Sequence, residues 1–239
     1  LNQYRVNPGG GGVLMHWSRI VDAPIATGIL LLEPLLGQAR AEQVVMTIWP
    51  LVMGALLSLS CALGFRNLSD RRIAFVVPLF LIMLGFIVIQ FRPMRVDHHG
   101  WQILLSMVIL WQAIRAPGRQ AGLLGGLGAA ALLAISIEGL PIVTLFAGLA
   151  ALRWAWFARA ADRDWLRHYM AALAGGGFLL QFLTRGPAGI LGSWCDALSA
   201  PYLAAFGIAA VATLAITSVA PSARAIRLLA LAGAGILAV

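Results

Sequence analysis

The stretch Arg95-Val96-Asp97-His98-His99-Gly100-Trp101-Gln102 is the densest group of ionisable side chains in a sequence that is otherwise mostly apolar. Two hydrophobic runs flank it, residues 73–91 and 103–114, and each is long enough to enter or cross a bilayer. Because charged and imidazole side chains are costly to hold in hydrocarbon, this order predicts a polar turn at the membrane surface between two membrane helices.

Asp97 and His99 allow two interpretations of equal weight. In the pattern Asp-x-His, a carboxylate oxygen and an imidazole nitrogen can reach one cation if the backbone turns, and this donor pair suits Mn²⁺, Mg²⁺ or Zn²⁺. Alternatively, Asp97 caps the next helix while the two histidines lie in interfacial water.

The composition indicates an integral membrane protein. Hydrophobic residues make up 61% of the chain and charged residues only 11%, against about 25% charged in a soluble domain. Repeated apolar runs separated by short loops with arginine predict an all-α, polytopic transmembrane helical bundle. The net charge of +8 therefore gives no reason to expect a nucleic acid partner, because the basic residues act as topology signals in the lipid bilayer.

Eight apolar runs predict about eight membrane helices. A further run, residues 25–36, is short and contains Glu33-Pro34, so we predict one helix that lies in the outer interface. The predicted division is an outer loop with this helix, residues 1–43, and a transmembrane core, residues 44–239. The eight runs are residues 44–65, 73–91, 103–114, 123–137, 140–157, 169–183, 202–219 and 226–239.

The distribution of arginines predicts the orientation. Eleven arginines lie in the loops at residues 65–72, 115–120, 153–168 and 220–227. The alternate loops contain only Arg92, Arg95 and Arg185. By the positive-inside rule the first set of loops is cytoplasmic, so the Asp-His-His motif faces the exoplasmic side.

Other polar residues on the predicted outer side are candidates for chemistry. Glu138 and Asp196 are candidate ligands, although each could also simply begin a helix. Arg185, beside Gly186-Pro187, is a candidate phosphate ligand because guanidinium binds phosphate in a bidentate manner. Arg92 and Arg95 have the same potential, with a lipid headgroup contact as the alternative. The remaining outer candidates are His16 and Asp22.

The order of these elements carries a family resemblance. Residues 16–25, His-Trp-Ser-Arg-Ile-Val-Asp-Ala-Pro-Ile, end an outer loop, and Asp97-x-His99 follows in the next outer loop. This order resembles the GT-C superfamily of membrane glycosyltransferases, especially the catalytic subunits of oligosaccharyltransferases, and also bacterial GT-C-like proteins. Residues 199–207 match a later outer-loop motif only faintly, because the nearest acid is Asp196.

The resemblance implies a glycosyltransferase that uses a polyprenyl-phosphate-linked sugar donor and a divalent metal, Mn²⁺ or Mg²⁺. With the orientation predicted from the arginines, the active face is expected on the periplasmic side of a bacterial inner membrane. His16, Asp97 and His99 are the implied metal ligands, and Asp97 and His98 the implied catalytic residues, with His98 either supporting a ligand or acting as a general base.

The family's first acidic motif would precede Leu1, and the chain begins without methionine. We therefore expect an N- and C-terminally incomplete piece that is inactive alone and holds metal weakly or not at all. The alternative function is a non-catalytic polytopic membrane subunit that keeps this fold and packs with other membrane subunits. A transporter with a histidine relay fits less well, because the polar residues gather at one face.

The predicted topology is testable with reporter tags. Tags at Arg71 and Asp162 should respond from the cytoplasm, and tags at Gly100 and Gly192 from the exoplasmic side, because of the arginine bias. Finding Gly100 and Asp162 on one side would refute the orientation.

Overall fold

The structure is a computed structural model that describes Gly9, residues 18–66, Leu68 and residues 71–238, except for the side chains of residues 71, 73–75, 78, 188 and 189. Within these ranges every regular element is helical, as predicted. The elements are α1 (Asp22–Leu36), α2 (Gln38–Phe65), α3 (Arg71–Met83), α4 (Gly85–Gln90), α5 (His99–Ile114), α6 (Arg119–Ile135), a 3₁₀ turn (Ile137–Gly139), α7 (Leu140–Phe157), α8 (Ala160–Ile190), α9 (Ala200–Val219) and α10 (Arg224–Leu237).

The helices follow the predicted apolar runs with one interruption. Residues 73–91 form two helices, α3 and α4, because the backbone at Leu84 is not helical (φ −91°, ψ 85°). Among the described residues, three helical segments are long and apolar enough to cross a membrane: Gln38–Phe65, Ile137–Phe157 and Ala200–Val219. About eight crossings therefore stay a prediction.

Helices α1 and α2 form a hairpin around Gly37. This glycine has a φ of +74°, a conformation that residues with a Cβ rarely adopt. Helix α1 then lies back along α2, so that a Cβ placed on Gly28 would lie 3.2 Å from the Val45 side chain. No residue of α1 is buried, and its exposed leucines are suited to contact with lipid. The predicted interfacial position of this helix remains a prediction.

Helices α6 and α8 make the closest helix contact in the core. A Cβ on Gly122 would overlap the Trp165 carbonyl oxygen, and a Cβ on Gly126 would overlap the Tyr169 carbonyl oxygen. Small residues allow membrane helices to approach in this way. Because the contacts advance along both helices in the same direction, α6 and α8 are parallel, and their C-terminal ends reach the same end of the bundle.

Large aromatic side chains fill the space around this contact. Trp154 of α7 and Trp165 and Tyr169 of α8 are each at most 2% exposed. The Tyr169 hydroxyl donates a hydrogen bond of 3.0 Å to the carbonyl of Val143, so its polar atom is satisfied inside the core and α7 is joined to α8.

Several arginines that the topology argument counts also hold the bundle together. Arg227 is 6% exposed, and its guanidinium donates to the carbonyls of Ala155, Pro221 and Ser222. These carbonyls lie at or just beyond the ends of α7 and α9, where backbone acceptors lack helical partners. Asp162 is fully buried, and Nε of Arg153 lies 3.0 Å from its Oδ1 atom.

The glycine contact predicts a stability change. Gly126→Ala should lower the free energy of unfolding by about 1–3 kcal/mol, because the new methyl group overlaps α8. Gly175→Ala is the control, since a Cβ there has no neighbour within 4 Å and alanine alone favours a helix. Unfolding of the purified variants in detergent measures the difference, and equal stability would contradict the packing.

The buried ion pair predicts a second difference. Arg153→Met should cost about 3 kcal/mol, because it leaves the Asp162 carboxylate buried without its cation. Arg163→Gln removes the partly exposed pair with Asp164, 3.4 Å apart, and should cost about 1 kcal/mol or less. The melting temperatures of the two variants report the contrast, and a similar loss in both would show that burial does not govern the effect.

Candidate functional site

The loop between α4 and α5 is fixed to the bundle by its backbone and by one arginine. The N–H of Met94 donates to the Met46 carbonyl on α2 at 2.9 Å. Arg95 donates to Gln90 at 2.7 Å and lies 3.0 Å from Oδ2 of Asp97. The predicted phosphate ligand Arg95 therefore has a carboxylate and an amide as its partners here, and it positions Asp97.

The side chain of Asp97 caps the first N–H of α5, although the N-cap residue itself is His98, whose own side chain makes no capping hydrogen bond. The Oδ1 atom of Asp97 accepts a hydrogen bond of 3.0 Å from the N–H of His99, the first residue of α5. The same oxygen lies 3.2 Å from Nδ1 of His99. That ring nitrogen is buried, and the contact with Asp97 does not have hydrogen-bond geometry, so Nδ1 has no hydrogen-bond partner among the described residues.

The two histidines stack on each other. Their ring centroids are 4.3 Å apart, and the rings are inclined by 26°. Both side chains are about two-fifths exposed, which leaves room for a ligand to approach.

Glu138, from a distant part of the sequence, also reaches the two histidines. It lies in the 3₁₀ turn between α6 and α7, where the Ser136 hydroxyl accepts its N–H and caps the turn. The carboxylate extends to α5, where Nε2 of Gln102 donates to its Oε2 atom at 2.9 Å. The same oxygen lies 3.8 Å from Nε2 of His98. A hydrogen bond to the carboxylate favours its ionised form, so Glu138 presents a negative charge to the histidines.

His98, His99 and Glu138 form a group that could hold a metal ion. One ligand atom from each lies within 4.8 Å of those of the other two. Two imidazoles and a carboxylate are typical ligands of Zn²⁺ and Mn²⁺. Nδ1 of His99 is buried and makes no hydrogen bond among the described residues, so it is available as a ligand atom. These residues therefore fit a divalent metal.

The other predicted ligands lie elsewhere or outside the described residues. Asp22 forms an ion pair of 3.7 Å with Arg19 at the start of α1. Asp196 lies in the loop between α8 and α9. His16 lies outside the described residues, so the implied contact between His16 and the Asp-x-His pair stays a prediction.

The predicted phosphate ligand Arg185 lies near the C-terminal end of α8, just before the kink at Gly186. Its guanidinium stacks on the Trp194 ring at 4.2 Å from the centroid. Burial, together with the charge of Arg19, lowers the pKa of Arg185. Its Nη1 atom is buried and has no hydrogen-bond partner among the described residues, so it can donate to an anion.

Gln102 was not predicted as a site residue from the sequence, and Glu138 was predicted only as an additional candidate. A signal for Gln102 was present, because it follows His98 by four residues and such residues lie on the same face of a helix. The contact between Gln102 and Glu138 joins residues 36 positions apart, and no local pattern could reveal it.

No family model matches the sequence, and no curated protein matches it. Solved structures do match. The Archaeoglobus fulgidus oligosaccharyltransferase in complex with Zn and sulfate has a TM-score of 0.68 and 18% sequence identity; the match covers 95% of this chain and 31% of that chain. The archaeal oligosaccharyltransferase AglB from the same organism, in complex with an inhibitory peptide and a dolichol-phosphate, has a TM-score of 0.68 and 16% identity, with 95% and 29% covered.

The chain thus spans less than a third of the length of these structural neighbours. At these identities the likeness establishes the fold. The neighbours are GT-C superfamily enzymes, and the GT-C resemblance drawn from the sequence is confirmed at the level of the fold.

Proposed function

We propose that this chain is the membrane core of a glycosyltransferase that uses a polyprenyl-phosphate-linked sugar donor and a divalent metal. The observation that carries the proposal is the meeting of His98, His99 and Glu138 at one end of a GT-C-like bundle. In this proposal that end faces the periplasm of a bacterial inner membrane, as the arginine bias predicts.

The metal would be held by His98, His99 and Glu138, with His16 completing the ligand set as the resemblance implies. When bound, it would supply positive charge that stabilises the donor phosphate as the glycosidic bond breaks. Of the two predicted ions, Mn²⁺ suits two imidazoles better than Mg²⁺ does, because Mg²⁺ prefers oxygen ligands and retained water.

Asp97 would act on the same site through His99. Its carboxylate contacts Nδ1 of His99 and accepts a hydrogen bond from the backbone N–H of that residue, so it holds the ring in place relative to α5. Either Oδ1 joins His99 on the cation, as the Asp-x-His pattern predicts, or the 3.2 Å contact only restricts the orientation of the ring. If His98 is a metal ligand, it cannot also be the general base; if it is not, it is free to take the acceptor's proton.

Arg185 is the arginine best suited to the donor phosphate. It combines an unpartnered, buried Nη1 atom with an aromatic platform that restricts its motion. Arg95 is bound to Gln90 and Asp97, so its charge supports the metal site indirectly.

An apolar groove beside the site could accept the polyprenyl chain. It lies between α7, α8, α9 and α10 and has a volume of about 490 Å³. Its outer end includes Leu140, only two residues after Glu138, and its lining is mostly aliphatic and aromatic. A long isoprenoid chain is the kind of ligand that such a groove excludes from water.

The alternative is a non-catalytic membrane subunit that keeps the fold. One observation favours it: both oxygens of Asp97 have partners within two residues of it in sequence, Arg95 and His99, and these local contacts are sufficient to explain a carboxylate here. The two functions differ in whether the site must bind metal.

The test uses substitutions that separate these roles. Asp97→Asn keeps an oxygen that can cap α5 but removes the charge, so the fold should persist. Glu138→Gln removes a ligand charge in the same way. Both should lower Mn²⁺ affinity by at least about tenfold and nearly abolish glycosyl transfer from a polyprenyl-linked donor in the full-length protein.

Glu33→Gln is the control, because Glu33 is an exposed residue of α1. Mn²⁺ binding is measured by titration, and transfer with the metal chelated and then restored. Unchanged binding and transfer in both Asp97→Asn and Glu138→Gln would reduce Asp97 to a helix cap and favour the non-catalytic subunit.

A further inference from the structure

A second groove lies between α2 and the interrupted pair α3 and α4. We propose that it binds an anionic phospholipid of the bilayer, with one acyl chain in the groove and the phosphate on Arg92. This site is separate from the proposed donor groove, since the two are lined by different helices and share no residue.

The interruption at Leu84 gives the groove its shape. Residues before the break, such as Leu81, and after it, such as Ile87 and Phe91, line the same cavity of about 480 Å³. That volume lies within the range of small-molecule sites. The cavity is closed on the protein side by α2, including Leu57.

The groove is apolar over nearly all of its lining. Ser58 is a polar exception, and its hydroxyl already donates to the Gly54 carbonyl within α2 at 3.0 Å. A ligand in the groove would therefore meet hydrocarbon and no free hydrogen-bonding group below the rim. This environment suits an acyl chain and opposes a sugar or a peptide backbone.

Arg92 provides the charge at the rim. It lines the groove, is exposed, and has no hydrogen bond or ion pair among the described residues. Arg95, three residues later, has both kinds of partner. A guanidinium at the top of an apolar, lipid-facing groove is complementary to a lipid phosphate, which accepts charge-assisted hydrogen bonds.

The occupant is inferred from this combination. The helices around the groove expose large apolar side chains such as Leu79 (60% exposed) and Ile82 (67%), so the surface faces the bilayer. An anionic phospholipid supplies both an acyl chain for the groove and an unneutralised negative charge for Arg92. A zwitterionic lipid offers the chain without the net charge.

The experiment measures lipid retention by the intact chain. The protein is placed in nanodiscs that contain equal amounts of phosphatidylglycerol and phosphatidylcholine and is then released for native mass spectrometry. Wild-type protein should retain phosphatidylglycerol in preference. Arg92→Gln should lower its affinity at least about tenfold, the loss expected for a charge-assisted hydrogen bond.

A second variant tests the groove itself. Ser58→Phe fills the cavity from α2 and should also remove the retained lipid. The matched controls are Leu56→Phe, an exposed position of α2 that does not line the groove, and Arg40→Gln, which removes another exposed charge that does not line it. Both controls should retain phosphatidylglycerol like the wild type, and melting temperatures verify that all variants are folded.

Three results would overturn the proposal: retention of phosphatidylglycerol by folded Arg92→Gln, displacement of the lipid by undecaprenyl phosphate, or a lipid-free dimer in the wild-type spectrum. The first would remove the role of Arg92. The second would make the groove a donor site, and the third would make it an interface between two copies. None of them bears on Mn²⁺ binding by Glu138 and the histidines, so failure here is distinct from failure of the proposed function.

Discussion

The parallel contact between α6 and α8 is the constraint on which the arrangement of the site depends. Two helices this close need glycine at each crossing point, and Gly122 and Gly126 provide it. Because the helices are parallel, the turn that follows α6 and the kink at the end of α8 lie at one end of the bundle. The first carries Glu138 and the second follows Arg185, so one packing contact brings an acid and a candidate phosphate ligand to the same end.

The charged side chains have different partners at the two ends of the helical bundle. At the arginine-rich end, charged groups stabilise the fold: Asp162 is paired with Arg153, and Arg227 donates hydrogen bonds to backbone carbonyls. At the other end, the buried nitrogens of His99 and Arg185 lack hydrogen-bond partners among the described residues, as does Oδ2 of Asp162 at the arginine-rich end. What distinguishes the end with His99 is that this unpartnered nitrogen belongs to a group of possible metal ligands with His98 and Glu138. This grouping, and not the unpartnered atoms alone, supports a functional site at this end.

The sequence predicted the helices better than it predicted the site. Length and hydropathy located each apolar run and predicted that it is helical, because a segment in lipid must form its backbone hydrogen bonds internally. The break at Leu84 was missed, since Leu84 is itself apolar and its only local signal is the neighbouring Gly85. The number of crossings and the side that each end faces depend on a bilayer, and they remain predictions.

At the site too, residues that are adjacent in sequence could be predicted, whereas contacts between distant residues could not. The Asp-His-His cluster could be recognised because its members are adjacent in sequence. Glu138 could be recognised only as an acid in a short outer turn, since its link to Gln102 exists only after α5 and α6 have packed. The groove with Arg92 at its rim depends on α2, on α3 and α4, and on the break between the last two, so hydropathy alone could not reveal it.

The choice between cap and metal ligand for Asp97 could not be made from sequence, because both roles require a carboxylate at the start of a helix. The geometry explains why the roles need not compete. Oδ1 accepts the His99 N–H, and a carboxylate oxygen retains a second lone pair. That oxygen lies 3.2 Å from the ring nitrogen of the same histidine. The cap thus fixes the carboxylate and the imidazole of the Asp-x-His pair side by side before any cation arrives, which lowers the entropic cost of binding one.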